Sequence, residues 1–148
     1  MFSCRVGSIA DIEQIKNLIW LAYSQFKGVI SEENYKKWEQ NLNSDATYQH
    51  LFEIGTCFVC YNNSQIVGTG FLIPRGNGTK MFQNDWAYIR LIGVHPNFGG
   101  KGIGRQLTQM CIDLAKEKGE KTLALHTSEF QDAARHIYEN LGFEKQKE

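Results

Sequence analysis

The sequence has no excess of charge of either sign. Its 16 Lys and Arg are matched by 16 Asp and Glu, for a formal net charge of zero. Without a basic surplus or a basic tail, neither nucleic acid nor an anionic membrane surface is an expected partner. Long apolar runs are missing too. The longest, Leu18 to Tyr23, is far below the roughly 20 residues that span a bilayer. The opening Met1-Phe2-Ser3-Cys4-Arg5 lacks the apolar stretch of a secretory signal, so a cytoplasmic protein is expected. Cysteines number four. Cys57 and Cys60 form a C-x-x-C, but it lies in the β-like run Cys57-Phe58-Val59-Cys60-Tyr61, where an offset of three puts the thiols on opposite faces. With no second pair to complete a zinc site, the expectation is no metal, and cysteines acting as small core residues.

What is present fits one domain over 1–148: 42% hydrophobic and 22% charged residues are ordinary for a globular chain. Phe2, Cys4 and Val6 alternate with polar residues as in a short strand. Ser8-Ile9-Ala10-Asp11 reads as a capping box, followed by Ile12, Ile15, Leu18, Ile19 and Ala22 at helical spacing. Tyr35, Trp38 and Leu42 mark a second helix after Ser31, and residues 43–55, largely polar, are expected to be loop. Cys57–Tyr61 and Gln65–Ile73 read as two strands joined by Asn62-Asn63-Ser64, since Asn tolerates the positive φ of tight hairpins. A loop from Pro74 to Asp85 follows. Trp86 to Val94, with Arg90 its only charge, suits a central strand buried on both faces, stopped by Pro96. Ile103, Leu107, Met110, Cys111 and Leu114 mark a helix closed by Gly119. Thr122–Thr127 reads as a strand. Ala134, Ile137, Tyr138 and Leu141 mark a last helix ended by Gly142, and Phe143 begins a final short strand. This order predicts an α/β (α+β) fold with a mixed sheet covered by helices.

Chemistry concentrates between Val94 and Arg105. Gly99, Gly100, Gly102 and Gly104 fall between a strand and a helix. A helix N-terminus presents unpaired N–H groups and the positive end of the helix dipole, and glycines let an anion reach them. The dinucleotide pattern fails because Arg105 stands where its third Gly would be. The P-loop pattern fails because Gly102 follows Lys101 and His95 stands at the first Gly. A glycine-bearing helix start without a ligand is the plainer reading.

Two segments carry a resemblance. Val94-His95-Pro96, then Gly99-Gly100-Lys101-Gly102-Ile103-Gly104, is similar to a strand ending in Val-x-Pro followed by the helix-start signature of the GNAT superfamily of N-acetyltransferases. Ala134-Arg135-His136-Ile137-Tyr138-Glu139-Asn140-Leu141-Gly142-Phe143 looks like that family's Ala-x-x-x-Tyr-x-x-x-Gly-Phe. The resemblance covers nearly the whole element order. Three departures stand out. Gly99 replaces the usual Arg or Gln, and Gln131 stands where an Asn is common. The chain ends five residues after Phe143, so the last strand is expected to be missing or short.

The resemblance implies a mostly antiparallel central sheet flanked by about four helices. It implies an acyltransferase that moves an acetyl group from acetyl-CoA to the amine of a small molecule or peptide, by direct attack in a ternary complex. The coenzyme A pyrophosphate would rest on the main chain of Gly99, Gly100, Lys101, Gly102, Ile103, Gly104 and Arg105, with Gln131 nearby. Lys101 and Arg105 would add charge there or simply be solvated. The main chain of Ile92 and Val94 would pair with the pantetheine arm. Tyr138 would protonate the leaving thiolate, against its alternative as a core Tyr. His95, His126 and Glu129 are candidates to take the amine proton, but each reads first as a surface or supporting residue and none is chosen. Trp20, Tyr23, Trp38, Phe82 and Trp86 are candidates for the acceptor pocket. The resemblance also allows a homodimer. The competing function is a non-catalytic acyl-CoA-binding sensor or assembly module.

Overall fold

The computed structural model describes residues 2–24, 28, 31–79 and 82–125. Among these are five strands and four α-helices. The strands are β1 (Ser3–Val6), β2 (Thr56–Asn62), β3 (Gln65–Ile73), β4 (Ala87–Val94) and β5 (Leu123–Ala124); the helices are α1 (Ile12–Ser24), α2 (Glu32–Leu42), α3 (Asp45–Ile54) and α4 (Ile103–Glu117). The sheet runs β1-β2-β3-β4-β5, antiparallel except for the parallel β4–β5 pair. The expected mixed, mostly antiparallel architecture is present.

The periodicity of the first helix is realised residue by residue: Ile12, Ile15, Leu18, Ile19 and Ala22 are its buried positions. Ahead of it, the Asp11 carboxylate accepts the Ser8 N–H at 2.9 Å and both guanidinium N–H groups of Arg5 at 2.8 and 2.9 Å. Helix α1 packs on one face of the sheet, where Gly93 leaves room for Ile19. Helix α4 packs on the other, where a Cβ on Gly68 would collide with Ile103. Two apolar clusters result. One joins α1 and α3 to Cys57, Val59, Phe71, Ile73 and Tyr88; the other joins α4 to Phe58, Cys60, Val67, Leu72, Ala87 and Ile89. In the hairpin, Asn63 adopts the expected positive φ, 56°.

Three expectations need correction. Residues 43–55 are not loop, because α3 occupies Asp45–Ile54. Its exposed face is polar, but Tyr48 and Leu51 are fully buried, and the Tyr48 O–H donates to the Leu42 carbonyl at 2.7 Å. Tertiary burial of one short apolar stripe outweighs the polar composition. The cysteines are not all plain core residues. Cys57 and Cys60 do fall on opposite faces, but Cys60 is joined to Cys4 by a disulfide between β2 and β1, where the two residues are directly paired. Cys57 and Cys111 are free and buried, and burial pushes both thiols up to about 12.

The third correction concerns β4. Ala87, Tyr88, Ile89 and Gly93 are buried, but Arg90 is exposed and Leu91, Ile92 and Val94 are partly open. Strand β5 pairs with Ala87 and Tyr88 alone. Past that point the register with β3 shifts by one residue between Thr69 and Phe71, with Leu91 at φ 55°. This β-bulge adds local twist to β4, whose second half stays paired with β3 at Gly93 and Val94. The strand expected from Thr122 is seen as β5, and the expected last helix and final strand lie outside the described residues.

Candidate functional site

The glycine turn is built as its composition demands. The His95 N–H donates to the Val67 carbonyl at 2.8 Å, anchoring the end of β4 to β3. A single 3₁₀ turn over Pro96–Phe98 follows. Gly100 and Gly102 then adopt φ of 74° and 85°, which L-residues avoid. A Cβ at either position would meet nothing within 4 Å, so their neighbours demand no glycine; backbone hand does, and the space above them is free for a ligand. Helix α4 begins on Gly102 with no side-chain cap and no acidic residue in its first turn. Its leading N–H groups are therefore left for an anion.

The sequence-expected cradle of Gly99, Gly100, Lys101, Gly102, Ile103, Gly104 and Arg105 is thus brought together at one helix start. Ile103 serves through its main chain only, because its side chain is 1% exposed in the core. Lys101 and Arg105 are exposed, and neither pairs with a carboxylate among the described residues. The Gly104 carbonyl is taken by the Thr108 hydroxyl at 2.8 Å, which fixes the first turn.

Main-chain direction adds the second part of the site. Because the His95 N–H points at β3 and successive N–H groups of a strand alternate, those of Ile92 and Val94 point to the other edge. No described strand covers that edge beyond Tyr88. An extended ligand could add there as a strand does.

Of the candidate bases, His95 is poorly placed to act. Its Nδ1 accepts the Asn97 N–H at 3.1 Å, so the neutral ring carries its proton on Nε2 and has no free lone pair for an amine proton. His126, Glu129, Gln131 and Tyr138 lie outside the described residues. Among the described residues no group of three or more His, Cys, Asp or Glu could hold a metal ion.

The aromatic candidates separate. Tyr23 and Trp38 pair at 5.3 Å between centroids, and Trp20 and Tyr35 at 5.4 Å, locking α1 to α2. Phe82 stacks on Tyr88 at 4.4 Å. Trp20, Tyr23, Trp38 and Phe82 all pack against the α1-side cluster, whereas Trp86 belongs to neither cluster. Arg90 was not singled out by motif. It stands at the edge of this aromatic face, and its only signal in sequence is being the one charge in an apolar run.

Among the described residues, an α4 N-terminus without a side-chain cap follows a strand edge that no described strand covers beyond Tyr88. Residues 12–143 match the Acetyltransferase (GNAT) family, and the chain belongs to that family. It is 46% identical over 150 residues to a Xenopus laevis protein named "Probable N-acetyltransferase camello", covering 98% of this chain and 64% of that one. It is 30% identical over 103 residues to N-acetyltransferase 8B of Homo sapiens, covering 69% of this chain and 44% of that one. The chain thus spans about half the length of such relatives. The structure of PaiA N-acetyltransferase from Thermoplasma acidophilum in complex with coenzyme A has the same fold. It superposes with a TM-score of 0.82 at 18% identity, over 99% of this chain and 91% of that one.

Proposed function

We propose that the domain, taken as the whole of 1–148, transfers an acetyl group from acetyl-CoA to the amine of a small molecule or peptide. The observation that carries this reading is the juxtaposition just described: uncapped N–H groups at α4 beside the open Ile92–Val94 edge. A pyrophosphate and an extended pantetheine arm are the two halves of one ligand that this arrangement fits, and membership of the Acetyltransferase (GNAT) family points the same way. Acetyl-CoA is then a substrate, and its thioester carbonyl would meet the outward N–H near Val94.

The amine attacks that carbonyl directly. The new C–N bond forms, the C–S bond breaks, and the thiolate takes a proton from the phenol of Tyr138, which regains one from water. The amine's own proton goes to solvent. A covalent acetyl-cysteine step is disfavoured, since Cys57 and Cys111 are buried thiols held largely protonated at neutral pH. No helix among the described residues is long and apolar enough to cross a membrane, and we place the protein in the cytoplasm. Thiol labelling of freshly lysed cells tests that location: a Cys4–Cys60 disulfide already formed there would move the protein to an oxidising compartment. A homodimer, the remaining expectation, is checked by light scattering.

The central test is calorimetry with acetyl-CoA on wild type, Gly102→Ala and Gly102→Glu. Both variants bear the strain of a side chain at positive φ, but only the glutamate puts a negative charge in the cradle. Binding by wild type and Gly102→Ala with loss in Gly102→Glu supports the site. Failure of wild type to bind overturns the reading. Binding without turnover on any amine would favour the non-catalytic module.

A further inference from the structure

Cys4 and Cys60 face each other across β1 and β2 and are joined by a disulfide that the proposed chemistry does not use. Its surroundings tie it to the glycine turn from two sides. On the first, Cys60 is fully buried and lies opposite Gly68 of β3. A Cβ placed on Gly68 would touch Ile103, Leu107 and Cys60 together. The disulfide is therefore packed where the first turn of α4 comes down onto the sheet. Ile103 begins that helix, immediately after Gly102. On the second side, Phe2, Cys4 and Phe98 all pack against the α4-side cluster. Phe2, Asn62, Phe98 and Lys101 line a cavity of about 470 Å³. The leading end of β1 is thus one wall of a hollow whose other wall is the glycine turn.

Strand β1 is poorly held without the bond. It is four residues long with three of them exposed, and it stands at the end of the sheet order. Short terminal segments of this kind open readily. Cys4 is only partly buried, so a thiolate reaches its sulfur when β1 frays. We propose that the Cys4–Cys60 disulfide is a redox switch on the acetyl-CoA cradle, opened by glutathione and closed by glutathione disulfide. In opening, a glutathione thiolate attacks Cys4 Sγ, the S–S bond breaks, and Cys60 leaves as a thiolate that takes a proton. A second glutathione thiolate attacks the mixed disulfide, and Cys4 leaves in the same way. Two electrons pass to the protein, the two protons come from the glutathione thiols, and one glutathione disulfide is released. Closing is the reverse. When closed, the bond holds Phe2 and Ile103 in place, and acetyl-CoA meets an ordered cradle. When open, the parted sulfurs need room that a close-packed core does not leave beneath α4. Strand β1 then yields outward, and binding has to re-order the turn. In the cytoplasm proposed above, where disulfides are transient, affinity is low at rest and rises under oxidation. This inference rests on the acetyl-CoA reading and adds a control to it.

The test equilibrates the full chain in glutathione buffers from fully reduced to fully oxidised. Alkylation and mass measurement read the state of Cys4 and Cys60, and calorimetry reads acetyl-CoA affinity at each end. Reduction is expected to raise Kd about tenfold, the scale of ordering one or two side chains on binding, and reoxidation to restore it. Cys4→Ser, which cannot close, binds as reduced wild type does in both buffers. That variant separates the switch from any effect on the buried thiols of Cys57 and Cys111. Circular dichroism melts accompany each sample, and the reversible change in wild type carries the comparison even if Cys4→Ser does not fold. Equal affinity in both states, a bond that no glutathione ratio opens, or a folded Cys4→Ser that still responds to the buffer would each overturn the switch. So would reduced wild type that is unfolded at the assay temperature, since the bond is then a plain staple. All four leave the acetyl-CoA site standing. Failure of oxidised and reduced wild type alike to bind acetyl-CoA would instead remove the reading on which the inference rests.

Discussion

The two halves of β4 do different work within one eight-residue strand. Ala87, Tyr88 and Ile89 are buried, with β5 paired to Ala87 and Tyr88 and β3 paired to Tyr88 and Ile89. Arg90 to Val94 keep β3 but have no described partner on the other edge. The bulge at Leu91 separates the halves. Where hydrogen-bonding partners exist on both sides, burial is cheap and apolar side chains fill it. Where one edge is open, the N–H and C=O groups need water or a ligand. The strand is thus enclosed at its start and, among the described residues, paired on one edge only at its end.

The largest effect expected past the end of β4 is loss of acetyl-CoA binding in Gly102→Glu, by more than about 100-fold, since the glutamate both fills the cradle and repels phosphate. Calorimetry reads it, with Gly102→Ala as the strain control. The enclosed half is broken differently. Ile89→Ala removes a side chain that is 5% exposed and should cost about 2–5 kcal/mol, whereas Ile92→Ala, half-buried beyond the bulge, should cost about 1 kcal/mol or less. Urea melts of the two variants settle this, and equal costs would erase the contrast between the halves. Tyr138→Phe should lower kcat by about 100-fold while acetyl-CoA affinity stays near wild type, a split that a purely structural Tyr would not produce.

The smallest effect is expected at the far edge of the sheet, where Arg5 holds Asp11. The Arg5 hydrogen bond and the Ser8 backbone N–H keep the Asp11 carboxyl below its usual range. Since the folded-state value is the depressed one, the contribution is fully present above the ordinary carboxylate pKa of about 3.9. It is lost as pH falls from there through the folded value. Thermal melts from pH 6 down to about 2 should show Asp11→Asn losing less stability on acidification than wild type, with the two curves converging at the acid end. Parallel curves would mean that the pair is idle.

Much of this was legible because local rules suffice for it. Apolar spacing alone located α1 and its buried stripe, and the Asn turn placed the β2–β3 hairpin. The glycines at 100 and 102 were readable as the turn into α4 because positive φ leaves few residues a choice. Helix α3 was missed because Tyr48 and Leu51 are too few to outweigh a polar segment until the sheet is there to receive them. The Cys4–Cys60 disulfide was missed because the two residues lie 56 positions apart and only the β1–β2 register makes them neighbours.

By itself, then, the sequence determined the local conformations: which segments bury one face, where the chain turns, and which backbone positions must be glycine. Each follows from the periodicity and sterics of a few adjacent residues. Only the tertiary structure decided that no described strand accompanies the second edge of β4 after Tyr88, that the start of α4 follows that edge, and that Cys4 and Cys60 meet across β1 and β2. Those are relations between distant segments, set by how strands pair and helices pack, and no local pattern encodes them.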